Sequence, residues 1–101
     1  MRRFIVRYKV KPDRAQENRD LIRNVFAELK ERAPAGVAYS VSVGLDGVSF
    51  FHLVSVDTDA GETPIAELAS FKAFQAGIRE RCAEAPVRTD LEAIPVGSYG
   101  E

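Results

Sequence analysis

Residues 36–56 read GVAYSVSVGLDGVSFFHLVSV, and this stretch decides the fold that we predict. The pair Asp46-Gly47 lies between two runs of alternating apolar and polar residues, which is the strongest short-range signal for a β-hairpin. A two-residue turn pairs Leu45 with Val48, and every other pair then follows by counting outward. The only histidine of the chain, His52, therefore has a defined place in the hairpin.

The predicted register divides the hairpin into two faces of different character, because side chains alternate along a strand. The more apolar face carries Val37, Tyr39, Val41, Val43, Leu45, Val48, Phe50, His52, Val54 and Val56. The other face carries Ala38, Ser40, Ser42, Gly44, Ser49, Phe51, Leu53 and Ser55. We expect helices to cover the more apolar face, since two helical stripes need a broad apolar surface.

The flanking sequence supplies four more elements. Residues 3–10 alternate as a strand with one buried face, and residues 14–32 show apolar positions at helical spacing. A second apolar stripe predicts a helix from residue 64 to 82 with a break near Ser70, and residues 87–94 alternate again as a strand. The order strand, helix, strand, strand, helix, strand predicts an α+β ferredoxin-like βαββαβ fold, with a four-stranded antiparallel sheet and both helices on one face.

Composition limits the possible functions. We expect the 101 residues to form a single domain, residues 1–101. The net charge of −1 gives no field that attracts nucleic acid or an anionic membrane, and no stretch reaches the roughly 20 apolar residues of a membrane span. One cysteine allows no internal disulfide and fits a cytoplasmic location. One cysteine and one histidine also exclude a zinc site of the usual composition, and we expect no metal and no cofactor.

Four segments carry a resemblance to a known superfamily. They are RYKVKP at 7–12, PAGV at 34–37, FFHLV at 50–54 and LASF at 68–71. In these segments the chain resembles the dimeric α/β-barrel superfamily, specifically its antibiotic-biosynthesis monooxygenase-like group. The stretches at 74–78 and 96–99, Phe-Gln-x-x-Ile and Val-Gly-Ser-Tyr, are similar to an uncharacterised subgroup of it.

The resemblance implies a homodimer whose two sheets face one another as a barrel. It also implies a pocket in each subunit between sheet and helices, and a C-terminal tail that reaches the partner through Val96 and Tyr99. Haem-degrading members of the superfamily use an asparagine on the first strand, a tryptophan, and a histidine on the second helix. This chain has no tryptophan, and its asparagines Asn18 and Asn24 lie on the first helix. Phe71 and Phe74 occupy the region of that histidine, so these catalytic residues are not matched and enzymatic activity stays open.

His52 is the sharpest candidate for chemistry. A histidine can take a proton from a phenol or enol substrate, as a cofactor-independent oxygenase requires, and Tyr39 on the same face could orient that substrate. The alternative is a buried histidine that holds the core together through hydrogen bonds. We expect the ligand-binding surface to be formed by four aromatic residues, Tyr8, Phe50, Phe71 and Phe74.

Other residues have a functional and a structural interpretation. Arg7, Arg79 and Arg81 could bind a substrate carboxylate, but a solvated strand face and a helix surface explain them as well. Cys82 ends the second helical stripe and is interpreted as a small core residue. The sequence thus favours a homodimer that binds a small apolar or aromatic molecule. The alternative is a cofactor-independent monooxygenase-like enzyme with His52 as base, acting on an aromatic or polyketide-like substrate.

Overall fold

A computed structural model describes residues 2–57, 63–92, 94, 97, 99 and 100. The elements are β1 (Arg2–Val10), a short 3-10 helix (Pro12–Arg14), α1 (Ala15–Arg32), β2 (Val37–Val43), β3 (Ser49–Val56), α2 (Thr63–Ala66), α3 (Ala69–Ala76), α4 (Ile78–Arg81) and β4 (Cys82–Leu91). The strands form one antiparallel sheet in the order β2-β3-β1-β4. This is the ferredoxin-like topology that the order of elements predicts. No helix among the described residues has the length and apolar character needed to cross a membrane.

The hairpin has the predicted register but a different turn. Val37 pairs with Val56, as counted from the sequence. However, the strands stop at residues 43 and 49, and Leu45 is fully exposed rather than paired with Val48. The reason is Asp46, whose carboxylate accepts hydrogen bonds from the backbone N–H groups of residues 48 and 49 and so replaces ladder pairing at the tip.

Gly47 is required at this tip by its backbone conformation, with φ at 77° and its N–H donating to the Gly44 carbonyl over 2.9 Å. We expect Gly47→Ala to lower the free energy of unfolding by about 1 kcal/mol, because the left-handed region disfavours a Cβ. Urea denaturation measures this change. Gly47→Asn is the control and loses less, since asparagine tolerates the left-handed region. Equal losses for both variants would contradict the explanation.

The helices cover the more apolar face of the hairpin, as predicted. Phe50, Val54 and Val56 of β3 are buried in two clusters together with side chains of β1 and of the helix layer. Val25 of α1 and Phe74 of α3 contribute to the larger of these clusters. The sheet therefore has one covered and one open face.

Two predicted elements differ in their bounds. The second helix has the predicted break near Ser70, which falls at residues 67–68 between α2 and α3, but a further division at Gly77 separates α3 from α4. Cys82 opens β4 as a half-buried strand residue instead of ending a helix. β4 spans residues 82–91 rather than 87–94 and includes Pro86. Arg7 pairs with Val87 and Lys9 with Glu84, so β4 carries one extra residue there. An edge strand with such a bulge tolerates proline, because no ladder bond depends on the missing N–H.

Candidate functional site

A cavity of about 320 Å³ lies between the sheet and the helix layer. Most of its lining is apolar, and the lining comes from β1, β2, β3, the helices that follow β3, and β4. The lining residues are Phe4, Val6, Tyr8, Tyr39, His52, Val54, Ile65, Ala66, Phe71, Phe74, Gln75, Ile78, Pro86 and Arg88. A concave, mostly apolar space with a few polar groups is typical of a small-molecule site.

The structure brings five of the six predicted site residues together at this cavity: Tyr8, Tyr39, His52, Phe71 and Phe74. Phe50 does not line it. Its ring stacks on that of Tyr8, with centroids 5.6 Å apart and planes 9° from parallel, and it is almost completely buried. Phe50 therefore does not contact the cavity but holds the Tyr8 ring in place by stacking against it.

His52 is held between two tyrosine hydroxyls. Its Nε2 lies 2.8 Å from the Tyr8 hydroxyl, and its Nδ1 lies 2.6 Å from the Tyr39 hydroxyl. The side chain is 5% exposed, and its ring also lies against Phe74 with centroids 5.5 Å apart. Both ring nitrogens are therefore saturated by protein groups.

The hydrogen-bond chain continues from Tyr8 into the core. Asn18 Nδ2 donates to the Tyr8 hydroxyl over 2.9 Å, and Arg81 Nε donates to Asn18 Oδ1 over 3.1 Å. A second nitrogen of Arg81, Nη2, donates to the Phe74 carbonyl over 2.6 Å. Asn18 is 0% exposed and Arg81 is 1% exposed. We call the five residues Tyr39, His52, Tyr8, Asn18 and Arg81 the polar chain.

Sequence reasoning missed the roles of Asn18 and Arg81. Arg81 was interpreted as a carboxylate binder or a helix-surface residue, and the structure places it in the core on Asn18 instead. A signal was present in both cases, because each polar residue stands in an apolar helical stripe. Asn18 precedes Ile22 by four residues, and Arg81 follows Ile78 by three. A polar residue at such a position needs a buried partner.

Burial sets the protonation of the site. It lowers the pKa of His52 from 6.5 to about 4, so the imidazole is neutral near pH 7. Burial likewise raises the pKa of Tyr8 and of Tyr39 above the usual tyrosine range, and the Asn18 hydrogen bond opposes this shift only at Tyr8. All three groups are therefore uncharged, and the site is suited to hydrogen bonding more than to acid–base exchange.

The cavity also has polar side chains apart from the polar chain. The guanidinium of Arg88 lies 3.7 Å from the centre of the Phe4 ring, and its Nε donates to Asp90 over 3.0 Å. Neither of the other two arginines proposed for carboxylate binding lines the cavity: Arg7 pairs with residues of the open face, and Arg79 is exposed on α4. Among the described residues, no group of three or more His, Cys, Asp or Glu side chains is arranged to hold a metal ion.

A hydrogen-bonded contact between helices positions the wall that carries Phe71 and Phe74. Glu28 Oε1 of α1 accepts from the Ser70 backbone N–H over 2.9 Å and from the Ser70 hydroxyl over 2.6 Å. The hydrogen bonds from Ser70 hold the pKa of the Glu28 carboxyl below its usual range, so the contact persists at neutral pH. This carboxylate caps the start of α3 and fixes the helix over the cavity.

Solved structures share this fold. An antibiotic biosynthesis monooxygenase is 18% identical with a TM-score of 0.78, covering 94% of this chain and 100% of that chain. Rv0793 from Mycobacterium tuberculosis is 17% identical with a TM-score of 0.77, covering 96% and 98%. A Caulobacter crescentus protein, provisionally named for the same monooxygenase activity, is 25% identical with a TM-score of 0.72, covering 92% and 89%. No family model and no curated protein matches the sequence.

The topology and these comparisons define the fold. The chain has the α+β ferredoxin-like fold that is also found in solved antibiotic biosynthesis monooxygenase-like proteins, so the predicted fold is confirmed. In this chain the fold holds His52 between Tyr8 and Tyr39 beside an apolar cavity.

Proposed function

We propose that the protein is a homodimer that binds a small apolar or aromatic molecule in the cavity between sheet and helices. The observation that carries this proposal is the cavity itself, with aromatic walls from Phe71 and Phe74 and with Tyr8 and Tyr39 among its lining residues. Apolar walls supply affinity by burying ligand surface, and a few placed polar groups orient the ligand.

The alternative function, a cofactor-independent monooxygenase-like enzyme with His52 as base, has less support. A general base must be able to take up a proton near the working pH, and burial holds the pKa of His52 at about 4. Its two nitrogens are also occupied by Tyr8 and Tyr39, so a substrate would have to displace a tyrosine to contact the imidazole. Ligand binding in the cavity requires neither proton uptake by His52 nor displacement of a tyrosine.

Ligand binding is testable with 2-acetylnaphthalene as the probe, measured by isothermal titration calorimetry. We expect saturable binding to the wild type and an affinity at least roughly tenfold lower for Val54→Phe, because the larger side chain occupies the cavity that Val54 lines. Leu45→Phe is the matched control, since it adds the same ring at the exposed hairpin tip. Absence of binding to the wild type, or equal affinity in Val54→Phe and Leu45→Phe, would refute the cavity as the site.

The open face of the sheet supports the dimer. Leu53 is 44% exposed, and Phe51 on the same strand and Val87 and Leu91 on β4 are also exposed. Ile5 of β1 pairs with Leu53 and places a further apolar side chain in the same row. Exposed apolar side chains on a sheet face are typical of an interaction surface, and a second copy of the same face would cover them. Val96, assigned to the partner contact from sequence, lies outside the described residues, and Tyr99 is fully exposed.

Leu53→Asp tests the dimer by placing a charge in the centre of the proposed interface. We expect light scattering at micromolar concentration to give the mass of two chains for the wild type and of one chain for the variant, because a buried unpaired carboxylate is costly. Leu45→Asp introduces the same change at the hairpin tip and should remain dimeric. A wild type with the mass of one chain would overturn the proposal.

A further inference from the structure

The hydrogen bonds of the polar chain all run in one donor-to-acceptor direction, which starts at Arg81. A guanidinium has only donors, so the Asn18 atom facing it over 3.1 Å must be the carbonyl oxygen. This fixes the orientation of the amide, and its NH2 group faces Tyr8 over 2.9 Å. The Tyr8 oxygen is therefore an acceptor in its contact with Asn18.

The direction continues through His52. Tyr8 still has its own hydrogen to donate, and His52 Nε2 at 2.8 Å is the acceptor in reach. A neutral imidazole that accepts at Nε2 carries its hydrogen on Nδ1. Nδ1 then donates to the Tyr39 oxygen over 2.6 Å, and the hydroxyl hydrogen of Tyr39 is left unused.

The opposite order is less favourable. In it both Asn18 and His52 would donate to Tyr8, and the unused hydrogen would be that of Tyr8, which is 5% exposed and packed among Phe50 and Val10. A buried hydroxyl hydrogen without an acceptor costs free energy. Both tyrosines line the cavity, but Tyr39 is only half-buried, so the order from Arg81 to Tyr39 leaves the unused hydrogen on the more accessible of the two.

We propose that the Tyr39 hydroxyl donates into the cavity and selects apolar ligands that present a hydrogen-bond acceptor, such as a ketone oxygen. This specificity rests on the proposed ligand-binding function and adds the chemical class of the ligand. Asn18 and Arg81 act as positioning residues. They do not contact the ligand, but the direction of their hydrogen bonds leaves the Tyr39 hydroxyl hydrogen free to be donated to it.

The tautomer of His52 tests the direction without any ligand. His52 is the only histidine in the chain, so a long-range nitrogen–proton NMR spectrum at pH 7 reports one ring. We expect a protonated-type shift for Nδ1 and an unprotonated-type shift for Nε2. The reverse assignment in the wild type would overturn the inference while leaving ligand binding untouched.

Asn18→Asp is expected to reverse the direction, because a carboxylate only accepts and would take hydrogens from both Arg81 and Tyr8. Tyr8 would then accept from His52 Nε2, and Tyr39 would donate to Nδ1. The predicted result is the opposite tautomer in the same NMR spectrum. An unchanged tautomer in a folded Asn18→Asp variant would overturn the inference, and the wild-type spectrum decides the matter if the variant does not fold.

Two ligands of similar shape test the specificity: 2-acetylnaphthalene, which has a carbonyl acceptor, and 2-isopropylnaphthalene, which has none. We expect the wild type to bind the ketone about fivefold more tightly, the ratio that one neutral hydrogen bond supports. Tyr39→Phe should remove the preference and keep hydrocarbon binding, whereas Tyr99→Phe removes an exposed hydroxyl and should change neither. If the wild type binds the ketone and the hydrocarbon with equal affinity, the proposed specificity is wrong and the binding function stands. If it binds neither compound, both the specificity and the proposed function are wrong.

Discussion

Asn18→Leu is expected to lower the free energy of unfolding by about 3 kcal/mol, because it leaves the Nε–H of the buried Arg81 guanidinium without its acceptor and removes the donor to Tyr8. The leucine is similar in size, so lost packing contributes little to this value. Urea denaturation at pH 7 measures the change. Asn24→Leu, an exposed position on the same helix, is the matched control and should change stability by less than about 0.5 kcal/mol.

A double-mutant cycle separates the unpaired charge from other effects. Arg81→Met in the Asn18→Leu background removes the guanidinium whose Nε–H has lost its acceptor, and we expect it to recover part of the lost stability. A double variant less stable than Asn18→Leu would mean that Arg81 stabilises the fold mainly through its bond to the Phe74 carbonyl. A loss for Asn18→Leu no larger than that for Asn24→Leu would show that the buried amide is not needed to pair Arg81.

The wild type is expected to lose about 3 kcal/mol of stability through His52 as the pH falls from 7 to 4. The pKa of His52 is about 4 in the folded chain and 6.5 when unperturbed, so between these values the unfolded chain binds more protons. Protons therefore favour unfolding, and this contribution is fully present above pH 6.5 and lost as the pH falls toward 4. Denaturant titrations at several pH values in this window measure the slope.

His52→Gln supplies the reference for this pH dependence. Glutamine has no titration in the window, so the difference in unfolding free energy between wild type and variant should shrink as the pH falls. Carboxylates with lowered pKa values, Asp46 and Glu28 among them, add an acid sensitivity of their own, but they are present in both proteins and cancel. A difference that does not vary with pH would mean that His52 is not held neutral by burial.

Local patterns in the sequence were sufficient to predict the fold. The register from Val37 to Val56 follows from the two-residue period of a strand, since a slip by one residue would turn every apolar side chain to the open face. The same reasoning placed Tyr39 and His52 on one face of the hairpin, where the structure brings them together. It did not anticipate the turn, where the Asp46 side chain replaces ladder bonds, or the bulge that admits Pro86 to β4.

The sequence by itself determined the order of elements, the register of the hairpin and the face that the helices cover, because each follows from periodicity between near neighbours. Only the tertiary structure decided the polar chain and the cavity. Tyr8 and His52 are 44 residues apart and Asn18 and Arg81 are 63 apart, and no local pattern relates side chains over such distances. Their contacts arise when α1 and the segment before β4 pack on the same sheet. Burial there removes water, so each polar group needs its neighbour in the polar chain as a hydrogen-bond partner.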